Sequence, residues 1–251
     1  MVKKQLSNPL SNPTNHILLL PVIIMMIVTY FSAFKNGKQT CDNYILNTYL
    51  YTITYLFLLG YASILFSLYS TNLSLTTTII LLILYVIVYI ALLTIPNDKQ
   101  LLKHLVSILY IVLAAFLLNF IFIVFDSTAI ATAILLSIAL FIVLSIIAFK
   151  FKTLISSKIS LTFVIIFFVM IFLEFFISMF YPSSMIEKVI ILVVLMIICY
   201  LVLTKTKKMI ENEANCAKEG ANYVNDSIGF ILSFQNILLR ILDLRKGKLV
   251  R

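Results

Sequence analysis

The sequence predicts an all-α polytopic membrane protein, a transmembrane helical bundle of about seven spans followed by an amphipathic C-terminal helix. Three observations carry that reading. Of 251 residues, 62% are hydrophobic and 12% charged, where a soluble domain carries about 25% charge. The mean hydropathy is +1.11. The apolar residues also come in runs long enough to cross a hydrocarbon core about 30 Å thick, which takes about 20 helical residues. A soluble enzyme, a disordered chain and a secreted disulfide scaffold are excluded on the same grounds.

Seven runs have a spanning length: residues 17–34, 44–70, 73–95, 101–125, 127–149, 159–180 and 186–204. Breakers and charges are kept between them, in Lys35 to Asp42, Asn72, Pro96-Asn97-Asp98-Lys99, Asp126, Lys150 to Lys158 and Pro182-Ser183-Ser184. Short polar linkers make helical hairpins, because lipid tolerates no irregular exposed backbone. Residues 1–204 are therefore expected to be the transmembrane domain. Lys3 and Lys4 precede the first run as in a signal peptide, but 18 apolar residues without a clear small-residue cleavage site favour an uncleaved span. Pro21 is expected to kink that span or mark its first turn. Thr76-Thr77-Thr78, Ser127, Thr128, Thr132 and Ser137 are expected to act in helix packing.

If loops alternate across the membrane, one side holds three basic residues, Lys3, Lys4 and Lys188, and the other holds sixteen. Cytoplasmic loops collect positive charge, so the second side is expected to face the cytoplasm, with the N-terminus outside. Residues 205–251 then form a basic cytoplasmic tail, whose start continues the last span as a solvated helix. Over 222–244, Asn222, Asp226, Gly229, Ser233, Asn236, Arg240 and Asp243 recur at spacings of three and four. Ile228, Ile231, Leu232, Leu238, Leu239 and Leu242 occupy the other face, which makes one amphipathic helix. Either it lies in the cytoplasmic interface, offering Asp226, Ser233, Asn236, Arg240 and Asp243 as a docking stripe, or it re-enters the bundle with that stripe inward. The interfacial arrangement is the expectation.

The formal charge of +9 does not indicate nucleic acid, because no basic run interleaves with aromatics and the lysines flank the spans. The excess of Lys, Ile, Asn, Tyr and Phe points to an AT-rich genome, and the plasma membrane is the expected location. Three cysteines cannot all pair, and Cys199 lies in an apolar run, so a reducing or membrane setting is expected for all three. With glycine only at 37, 60, 220, 229 and 247, the chain has no phosphate loop, dinucleotide fingerprint or nucleophile elbow. His16 and His104 have no neighbouring ligands in sequence. No enzyme activity, metal or cofactor is expected.

Glu174 is the only acidic residue deep within a predicted span, Glu187 being at the edge of one, and a carboxylate in that position is a candidate functional group. It lies six residues, roughly 9 Å of helix, from the outer end of its span. Asn119 lies at a matching depth in the fourth span, with Asp126 and Lys188 above. These four residues could form an intramembrane polar site for a cation or proton. The simpler alternative is a structural ion pair of Glu174 with Lys188. In the second span Tyr44, Thr48, Tyr51 and Tyr55 recur at four, three and four, with Asn47 and Thr52 alongside. An interfacial belt with interhelical hydrogen bonds is expected of this stripe, rather than a polar path.

Towards the C-terminus the chain carries Thr132-Ala133, Ala148-Phe149-Lys150-Phe151-Lys152, Pro182, Thr204-Lys205-Thr206-Lys207, Asn222-Tyr223-Val224 and Leu232-Ser233-Phe234-Gln235-Asn236. Their order and loop polarity resemble the second half of the Bax-inhibitor family of membrane proteins. That resemblance implies a membrane bundle closed by a half-buried helix. It also implies an ion site at two aspartates that form a calcium- and proton-sensitive pair. These positions fall here on Lys205 and Ser233, so the family's ion site would be absent, and no site residue is carried over. Residues 1–126 show no signature of the family.

Two functional classes fit. The first is a non-catalytic accessory, immunity or membrane subunit of a larger transport or secretion system, partnered by the lipid bilayer and by another membrane or cytoplasmic protein through its C-terminal helix. The second is a stand-alone ion channel or transporter, Bax-inhibitor-like or using Glu174.

Overall fold

A computed structural model describes residues 19–69, 75–156, 166, 169, 170, 173 and 185–249. The elements run α1 (Leu19–Ala33), β1 (Phe34–Lys35), β2 (Lys38–Gln39), α2 (Tyr44–Tyr69), α3 (Leu75–Thr94), α4 (Gln100–Leu118), α5 (Phe120–Val124), α6 (Ser127–Lys150), α7 (Met185–Glu219) and α8 (Tyr223–Leu249). Among the described residues six helices are long and apolar enough to cross a membrane. Five of these coincide with predicted runs, and the sixth is α8. The first run appears as the 15-residue α1, with Pro21 in its first turn. Most of the run at 159–180, including Glu174, lies outside the described residues. The chain divides into two compact units, residues 1–124 with 216–227, and residues 125–215 with 228–251.

In the first unit α1 packs on α2, α2 on α4, and α3 on α4. The predicted linker at 35–42 contains an element that hydropathy does not reveal. Asn36 (φ 54°) and Gly37 (φ 73°) both have positive φ, and they turn an antiparallel pair in which Lys35 faces Lys38 and Phe34 faces Gln39. An Asn-Gly pair suits such a two-residue hairpin because both positions need left-handed backbone. The tyrosine stripe of α2 points into the protein, with Tyr44, Tyr51 and Tyr55 at 0%, 4% and 5% exposure. The expected interhelical hydrogen bonds are present, and only the belt position is corrected, because these hydroxyls have protein partners that a lipid-facing position would not supply. Thr48, Thr52 and Thr54 bond back to the carbonyls of Tyr44, Thr48 and Leu50. That satisfies their hydroxyls where water is scarce.

In the second unit Val194, Ile198 and Val202, spaced by four on α7, bury against Leu144 of α6 and Ile237 of α8. The opposing face of α6 is small, with Ala129, Ala133 and Ser137 all buried. Small residues at four-residue spacing let helix backbones approach closely. Ile198 is 1% exposed, and Ile198→Ala is expected to cost about 3 kcal/mol through lost packing and a residual cavity. Thermal unfolding in detergent measures it, and an unchanged midpoint would refute this packing.

The last two helices differ from the expected tail. Helix α7 does not end near Thr204 but continues to Glu219, 35 residues in all, or about 52 Å. Its end is set by Gly220, whose φ of +77° and N–H bond to the Cys216 carbonyl at 2.8 Å form a left-handed cap. Helix α8 is packed against protein rather than exposed along one face. Its apolar residues Ile228, Ile231 and Leu242 are at most 1% exposed, and on its polar side Ser233 is 3% exposed. Both of its sides therefore carry buried residues.

Candidate functional site

In the second unit Lys205 of α7 points at α8. Its Nζ donates to the Gly229 carbonyl at 2.6 Å and to Ser233 Oγ at 3.0 Å. Gly229 and Ser233 are four residues apart, so both acceptors lie on the face that meets Lys205. Ser233 Oγ also bonds the Gly229 carbonyl, at 3.1 Å. The result is a half-buried ammonium bonded to protein oxygens. A buried ammonium costs several kcal/mol in lost hydration and persists only where acceptors surround it. Hydropathy alone reads Lys205 as the polar boundary of a span. The signal that finds the contact is the resemblance, which sets residues 205 and 233 as a pair.

A larger polar network fills the first unit where α2, α4 and the start of α8 meet. Lys103 is 3% exposed, and its Nζ donates to Asn97 Oδ1 at 2.6 Å and to Asn222 Oδ1 at 2.8 Å. The Asp226 carboxylate acts electrostatically on that ammonium and accepts the Tyr44 hydroxyl at 2.8 Å. Tyr223 is sandwiched by Tyr44 and Tyr51, with ring centroids 4.9 and 5.6 Å away. Its hydroxyl accepts from Asn47 at 3.3 Å and donates to the Thr40 carbonyl. Tyr55 and Ser107 hydroxyls bond at 2.7 Å. His104, without ligands in sequence, has partners in space: its ring nitrogens lie 2.7 Å from the Gln100 carbonyl and 2.9 Å from the Tyr51 hydroxyl. Cys41 and Cys216 form a disulfide with Cα atoms 5.8 Å apart. That corrects the expectation that all cysteines stay reduced, because folding brings together positions 175 residues apart. Cys199 is free.

The sequence-derived candidates are placed as follows. Glu174 lies outside the described residues. Asn119, at the break between α4 and α5, is 2% exposed, and its Nδ2 has no hydrogen-bond partner among the described residues. Asp126 caps α6 by accepting from the Ala129 N–H at 2.7 Å, and Lys188 is exposed near the start of α7. The docking stripe is occupied internally. Asp226 takes the Tyr44 bond, Ser233 takes Lys205, and Asn236 donates to the Leu232 carbonyl at 2.7 Å. Arg240 and Asp243 pair at 3.6 Å. No cluster of three or more His, Cys, Asp or Glu fit for a metal occurs among the described residues.

Residues 41–248 match the family described as inhibitor of apoptosis-promoting Bax1. The match begins at residue 41, so it takes in most of the first unit, where the sequence offered no signature. No curated protein and no solved structure matches the chain.

Proposed function

Because the chain belongs to the Bax inhibitor family and is a multi-pass membrane protein, we propose that it works as a stand-alone, non-catalytic, channel-like bundle latched closed by its own lysine. One observation carries this reading: the Lys205 ammonium held between Gly229 and Ser233. The resemblance sets the positions of Lys205 and Ser233 against a calcium- and proton-sensitive carboxylate pair. Here a tethered ammonium supplies the positive charge. Free calcium or protons are then not needed to join α7 to α8, and a fixed positive charge repels permeating cations. The internal engagement of the α8 stripe favours this over a docking subunit.

Calcium flux into dye-loaded proteoliposomes tests the proposal. Wild-type protein is expected to match protein-free vesicles at neutral and acidic pH alike. Lys205→Met removes charge-assisted bonds worth about 1.5–3 kcal/mol, so flux is expected to rise on the order of tenfold. Wild-type flux that depends on calcium or pH would overturn the latch. Stoichiometric co-purification with an ATPase or secretion component would replace it with the accessory reading.

A further inference from the structure

A cleft of about 630 Å³ lies between the β1–β2 turn and the first turn of α4, lined by Phe34, Gly37, Lys99, Gln100 and His104 among others. His104 is thus reachable from outside while bonded to the interior. The proton arrangement of its ring follows from its partners. Nδ1 lies 2.7 Å from the Gln100 carbonyl, which can only accept, so Nδ1 carries the hydrogen. Nε2 of the neutral ring is then an acceptor and receives the Tyr51 hydroxyl at 2.9 Å. The Tyr51 oxygen in turn accepts from Gln39 Nε2 at 3.2 Å. This single chain of donors ties β2 to α2 and α4.

We propose that His104 is a proton-binding site that controls attachment of the β1–β2 hairpin. A second proton has one place to go, Nε2, where the imidazolium N–H would then point at the Tyr51 O–H. Two donors cannot share that bond, so Tyr51 must turn its hydrogen away. Its ring is held by Tyr223 at 5.6 Å and Tyr55 at 5.9 Å, so the oxygen stays in place, its turned hydrogen competes with the Gln39 donor for the remaining side of that oxygen, and the Gln39 tie loosens. Among the described residues no carboxylate is hydrogen-bonded to the ring. The charged groups of the first unit on the surrounding elements are Lys35 and Lys38 on the hairpin, Asp42 before α2, Asp98, Lys99 and Lys103 at α4, Lys218 and Glu219 at the end of α7, and Asp226 on α8. The tie is therefore present while the ring is neutral and lost as pH falls through the ring's titration. This site is independent of Lys205 and stands or falls apart from the latch.

Hydrogen exchange of the full-length protein in lipid nanodiscs, corrected for intrinsic rates, tests the site. The Thr40 amide, bonded to the Ala33 carbonyl at 2.9 Å, reports on the hairpin. Its protection is expected to fall about fivefold on acidification, the equivalent of one hydrogen bond of about 1 kcal/mol. His104→Gln should abolish that step. A step that persists in His104→Gln, or a wild-type profile without one, overturns the proposal. Nitrogen NMR of the wild-type imidazoles gives a second reading that needs no variant at His104, since the chain has two histidines and His16→Gln leaves one. A neutral ring with its proton on Nε2 would equally overturn the proposal, and Nδ1–H at neutral pH with proton gain at Nε2 supports it.

Discussion

Lys103→Met is expected to destabilise the protein by about 3–5 kcal/mol, as when one partner of a buried charged cluster is removed. Methionine matches the length of the lysine stem, so little packing is lost. What remains is Asn97 Oδ1 and Asn222 Oδ1 without their donor, and Asp226 without the nearby positive charge. Lys205→Met is the matched control, and its expected result differs. The Gly229 carbonyl and Ser233 Oγ still have each other, so that variant should lose less stability than Lys103→Met, no more than about 1.5–3 kcal/mol, while its flux rises. Thermal unfolding of both variants in one detergent makes the comparison. Equal stability of Lys103→Met and wild type would show that the Lys103 network does not hold α4 to the start of α8.

Cys41→Ser is expected to cost about 2–4 kcal/mol, the usual contribution of a native disulfide. The bridge ties the segment after the hairpin to the last turn of α7. Unfolding of oxidised wild type against the variant reads the loss, and maleimide labelling without reductant checks the premise. Labelling of both Cys41 and Cys216 in the unreduced protein would refute the bridge. The bond also bears on sidedness. Persistent disulfides belong to oxidising compartments, whereas Lys35, Lys38, Lys99 and Lys103 were counted toward a cytoplasmic side. Labelling intact cells with a membrane-impermeant thiol reagent after mild reduction tests which argument prevails.

Membrane character and most helix positions were legible in the sequence, because spanning a bilayer is a requirement on local composition and length. Each of the runs at 44–70, 73–95, 101–125, 127–149 and 186–204 contains the apolar core of an observed helix. Order in the second half was legible through the resemblance, which also paired residues 205 and 233. Even the hairpin left a local mark, Asn36-Gly37, though inside a stretch that hydropathy treats as linker. Tertiary structure alone decided the partners of the polar groups. Lysines 103 and 205 look the same in a hydropathy profile as any residue at the edge of a span, and their burial depends on acceptors 119 and 24 to 28 residues away. The amphipathic period of 222–244 likewise fits an interfacial helix or a central one, since both need two faces of different character. What fills the space beside each face is set by the packing of distant helices, and a periodicity carries no information about that. The same holds for Cys41 and Cys216, which become neighbours only when the hairpin and the end of α7 are folded together.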